Sequence, residues 1–87
     1  MPSVPEYILK YNELTVLIGK YVNLLPFNPE DLKYESSLYD EIQDLKNILD
    51  TLLIDEPKDF KNMFYDVYRY FYKISEQWNL EREMMNY

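Results

Sequence analysis

Neither cysteine nor histidine occurs among the 87 residues. The first absence excludes disulfides, thiolate metal sites and cysteine nucleophiles. The second removes the commonest general base, so Ser3, Ser36, Ser37 and Ser75 have no imidazole to activate them. A single glycine, Gly19, leaves no glycine-rich loop to wrap a phosphate and no EF-hand turn. The longest apolar-rich run, Leu14 to Leu25, is broken by Gly19, Lys20 and Asn23 and is too short to span a bilayer. No basic region followed by an apolar core and a small-residue cleavage site opens the chain, and the expected location is cytoplasmic.

Charge of one sign is scarce in one place only. Residues 29–56 carry nine carboxylates against two lysines, whereas the segments on either side each sum to zero, so the formal −7 belongs wholly to the middle of the chain. Such an asymmetry favours solubility or a basic partner. Nucleic-acid binding lacks its basic patch. With 47% hydrophobic and 17% aromatic residues the chain has ample apolar surface to bury, and its length makes one domain spanning residues 1–87. Ten tyrosines and seven asparagines fit the AT-rich coding common in phages, plasmids and low-GC bacteria.

Five prolines, at 2, 5, 26, 29 and 57, leave long uninterrupted segments that favour helices. The first helix is predicted over 4–24: Ser3 and Glu6 stand at capping-box spacing, and Pro5 falls in the first turn. Ile8, Tyr11, Thr15, Ile18, Val22 and Leu25 recur at spacings of three and four, with Leu14, Leu17, Tyr21 and Leu24 widening the stripe. Gly19 inside it suggests close approach of a neighbouring helix. Asn28-Pro29-Glu30-Asp31 opens a second helix, predicted over 29–54, whose seam is Leu38, Ile42, Leu45, Leu49 and Leu52; Ser36-Ser37 marks a possible division. Asp55-Glu56-Pro57 reads as a third cap, with Phe60, Phe64, Val67, Phe71, Ile74 and Trp78 behind it in a helix predicted over 56–85. At roughly 28 residues and about 42 Å that helix either overhangs its neighbours or bends near Asn79. Short connections make sequential helices neighbours, so the expected fold is all-α, a small up-down-up antiparallel three-helix bundle with a long C-terminal helix.

Catalysis has no apparatus: Asp40 and Asp44 stand one turn apart on the solvent face, away from any cleft that would raise one pKa. The reading is a non-enzymatic interaction protein with no cofactor and no metal. Glu35, Asp40, Glu41, Asp44 and Asp50 form the sharper constellation, since carboxylates repeating at about 5.4 Å along a helix can stand in for a phosphate path. The bland alternative is a solvated helix face. Phe60, Phe64, Phe71 and Trp78 fall on the inward seam of the third helix, with Tyr65, Tyr68 and Tyr72 on its flank as interface area or as tyrosines with wet hydroxyls. Met84, Met85 and Tyr87 would lack intramolecular partners if the helix overhangs. Two functions follow from these surfaces. One is a phage or mobile-element inhibitor that occludes a basic nucleic-acid-binding surface of a host defence protein such as a CRISPR effector, with the five acids as phosphate surrogates and Tyr65, Tyr68, Tyr72 and Trp78 as anchors. The other is an accessory subunit of a larger complex docking through the aromatic long helix, or a homodimeric structural protein.

Overall fold

Proline and one side-chain cap divide the chain. The computed structural model describes residues 4–85; the predicted Ser3 cap and the Tyr87 contact lie outside them. Helix α1 (Glu6–Val22) starts after Pro5, whose fixed φ of −55° and carbonyl, accepting from Ile8 and Leu9 N–H, nucleate the first turn without a side-chain cap. It stops ahead of the cis Leu25-Pro26 bond. Asn28 caps as its sequence predicts, Oδ1 accepting from Glu30 N–H at 3.0 Å, but the turn it starts is a 3-10 turn, Pro29–Asp31, and α2 (Leu32–Leu52) begins only after it. The division expected at Ser36-Ser37 therefore falls earlier, at Asp31. Helix α3 (Lys58–Met84) follows Pro57, which occupies the cap itself, so the cap predicted at Asp55 does not form. In its place Lys61 Nζ donates to the Ile54 carbonyl at 2.8 Å, a cation satisfying an orphan acceptor just past the end of α2.

The three helices run up, down and up. Tyr21 at the end of α1 meets Glu35 at the start of α2, which makes those two antiparallel. Tyr7 and Tyr11 meet Phe60, Tyr21 meets Phe71 and Phe27 meets Trp78, so α3 runs parallel to α1. The backbones of α1 and α2 come closest, and α3 stands further off. The reason is its side chains: ring pairs at 4.7–5.6 Å between centroids, among them Tyr7–Phe60, Tyr21–Phe71, Tyr39–Phe71 and Phe27–Trp78, fill the seam and hold the backbone away. Such pairs add about 0.5–1.5 kcal/mol each beyond area burial.

Leu14, Ile18, Tyr21, Leu38, Ile42, Leu49, Phe64, Phe71 and Trp78 form the centre of one continuous core. The α1 seam is rotated from its expected line. Tyr21 is fully buried whereas Ile8 and Thr15 are half-buried, because α1 must serve α2 and α3 together and turns Tyr7, Tyr11, Leu14, Ile18 and Tyr21 into the angle between them. Likewise Leu53, not Leu52, is buried at the end of α2. Gly19 does not mediate close packing. A β-carbon built there would meet nothing within 4 Å, so its smallness serves no contact. Helix α3 continues unbroken through Asn79, and in its last turn Glu81 accepts from Phe27 N–H at 3.1 Å while Met84 and Met85 stay exposed around a shallow hollow shared with Pro26 and Phe27.

Candidate interaction surface

One turn of helix decides the fate of each acid on α2. Its buried line is Leu38, Ile42, Leu45 and Leu49, and Glu35 continues that line one turn earlier. Glu35 is consequently 8% exposed, and its carboxylate accepts a hydrogen bond from the Tyr21 hydroxyl inside the core. It is not a phosphate surrogate on the surface, because the face it occupies is taken up by α1. Burial first, and then the hydrogen bond to Glu35, push the Tyr21 hydroxyl far above its ordinary pKa. Asp50 is half-buried on the α3 side and pairs with Lys46 at 2.8 Å, a bond that raises the lysine's pKa. That leaves Asp40, Glu41 and Asp44, all exposed and none in an ion pair among the described residues.

These three do not point the same way. Asp40 and Asp44, four residues apart, form an outward ridge, whereas Glu41 is turned about 100° from Asp40 toward α1. There it joins Leu9, Asn12, Glu13, Val16 and Leu17 around an open, mostly apolar groove of about 590 Å³.

The aromatic anchors also separate. Trp78 is fully buried with its ring edge-on to Phe27, so it anchors the core and not a partner. Its indole N–H finds no hydrogen-bond partner among the described residues. Tyr68 is half-buried: Gln43 Nε2 donates to its hydroxyl at 2.9 Å and Lys46 sits 5.5 Å above its ring, which ties α3 to α2. Tyr65 and Tyr72, 45% and 48% exposed, remain on the surface beside that bridge. Tyr39 lies in the same seam, tilted against Phe71, and burial raises its hydroxyl's pKa.

Among the described residues no three acidic side chains converge to hold a metal ion, and no helix is long and apolar enough to cross a membrane. The accessible surface thus reduces to an acidic ridge at Asp40 and Asp44, tyrosines at 65 and 72 on one side of it, and a carboxylate-edged apolar groove on the other. The groove was missed by sequence reasoning. Its signal was present in Leu9 and Val16, seven residues apart on the face of α1 opposite the core stripe. No family model matches the chain, and no curated protein or solved structure is detectably similar to it.

Proposed function

We propose that this chain is a non-enzymatic binding protein whose acidic α2 ridge occupies a basic, nucleic-acid-binding surface of a partner protein. The observation that carries the reading is the set Asp40, Glu41 and Asp44, exposed and unneutralised on one helix. Each of the three salt bridges among the described residues joins a carboxylate to a cation three or four residues away, and none of them involves Asp40, Glu41 or Asp44. Desolvating them against lysines and arginines would release counterions from both surfaces and speed association. A small inhibitor of phage or mobile-element type, blocking a host defence factor such as a CRISPR effector, is the biological role that size and charge fit.

The test is affinity capture with the tagged chain, a salt titration of what binds and competition with duplex DNA or RNA. The reading expects a basic nucleic-acid-binding protein, released by salt and by nucleic acid, and not captured by the Asp40→Lys/Asp44→Lys variant. A partner held in high salt, indifferent to nucleic acid and lost on Tyr65→Ala/Tyr72→Ala would instead favour the accessory-subunit reading, which rests on those exposed tyrosines and on the bare last turn of α3.

A further inference from the structure

Helix α3 outruns α1. Tyr21, in the last turn of α1, packs on Phe71, and α1 ends at Val22, whereas α3 carries on to Met84. Trp78 stands two turns past Phe71, about 10 Å further along the axis. It is fully buried all the same, and on the α1 side its cover is not a helix but the linker, whose Phe27 ring stands edge-on to the indole at 4.7 Å and 70°.

That cover is lightly fastened. Leu24 and Leu25 are still tied to α1, their N–H groups donating to the Tyr21 and Val22 carbonyls, and Asn28 is fixed as the cap of the 3-10 turn. Between these anchors lie only Pro26 and Phe27. Proline has no N–H, so the single donor of the pair is Phe27 N–H, and its bond to Glu81 Oε2 at 3.1 Å is the one hydrogen bond among the described residues that joins the linker to α3. Phe27 also borders the open, mostly apolar hollow of about 360 Å³ that it shares with Met84 and Met85, so it is packed on one side and bare on another. The closed arrangement carries a cost as well: the Trp78 indole N–H is buried with no hydrogen-bond partner among the described residues, and hydration on opening would return it.

We propose that Pro26 and Phe27 form a strap over Trp78, latched by Glu81, that opens while the three helices stay folded. Opening breaks one charge-assisted hydrogen bond and one ring pair and leaves the centre at Leu14, Ile18, Ile42 and Leu49 in place. It bares the indole beside Met84 and Met85, which are exposed already, so this end of the bundle alternates between a covered state and one with added aromatic surface. The strap shares no residue with Asp40, Glu41 and Asp44 and stands or falls apart from the reading of the acidic ridge.

Trp78 is the only tryptophan, which makes its indole N–H a single assignable probe. The experiment is hydrogen exchange of the 87-residue chain followed by NMR in rising, sub-denaturing urea, comparing Phe27 N–H, the Trp78 indole N–H and Ile42 N–H. After correction for intrinsic rates, the first two are expected to exchange at least about tenfold faster than Ile42, at a shared protection that urea barely changes, while Ile42 exchange rises steeply with urea. Glu81→Ala should speed exchange at Phe27 and at the indole together by about tenfold, still without urea dependence, whereas Glu81→Gln, which keeps an acceptor oxygen, should stay within about threefold of the parent. The proposal is overturned if the indole N–H exchanges only with Ile42 by the urea-sensitive route, if Phe27 and the indole respond differently to Glu81→Ala, or if that variant leaves Phe27 exchange unchanged. The parent-chain measurement decides the first point even where a variant fails to fold.

Discussion

Replacing Tyr21 by phenylalanine removes one oxygen atom from the core and tests its polar centre. The Tyr21 hydroxyl donates to the Glu35 carboxylate with both residues buried, so the variant leaves a carboxylate in the core without that donor. A hydrogen bond to a charged group contributes about 1.5–3 kcal/mol, and the ring itself is kept, so the expected loss at pH 7 is about 2 kcal/mol. At this chain length that corresponds to a fall in Tm of roughly 10 °C. A second signature comes from pH. An unfolded tyrosine ionises near pH 10, whereas burial and the neighbouring carboxylate keep the Tyr21 proton in place in the folded chain well above that. Beyond about pH 10 the unfolded state therefore binds fewer protons than the folded one, and stability from this group falls by about 1.4 kcal/mol per pH unit. The variant has no such group, so the gap between the two proteins should narrow by about 1.4 kcal/mol between pH 9 and pH 11. Urea denaturation followed by far-ultraviolet circular dichroism at several pH values measures both effects. A loss under about 0.5 kcal/mol at pH 7, or a gap that stays constant to pH 11, would refute the buried donor–carboxylate pair.

Gly19→Ala should stabilise the chain by about 0.5–1 kcal/mol, raising the urea midpoint with an unchanged slope, because the site is mid-helix with open space for a methyl group. Asn28→Ala should lower stability by about 1 kcal/mol through loss of the Oδ1 bond to Glu30 N–H, with helical content in denaturant-free buffer nearly unchanged. Trp78→Ala, which empties a fully buried ring site, should cost about 3–5 kcal/mol, a large share of the total for a chain this small, and an unaltered urea midpoint would show that Trp78 lies outside the core. Asp40→Lys/Asp44→Lys should leave thermal stability within about 0.5 kcal/mol of the parent, since neither carboxylate is paired among the described residues; a larger loss would mean that the ridge has a structural role.

The three helices were legible because their signals are local. Apolar spacing of three and four fixes a helix whatever it packs against, and proline with an asparagine cap fixes where one ends, so the sequence predicts an all-α bundle and Asn28 as its cap before any contact is known. The acidic middle segment is likewise a property of the chain alone. What only the tertiary structure decided is which side of each helix the neighbours cover. A helix stripe wide enough to serve two partners leaves its centre undefined by about one position, and one position is 100° of rotation. That rotation put Tyr21 at the centre of the core in place of Thr15 and brought its hydroxyl to the buried Glu35. Glu41 reaches the edge of the apolar hollow on α1 only because two helices, joined through a 3-10 turn, lie side by side. No spacing within either one specifies the gap between them.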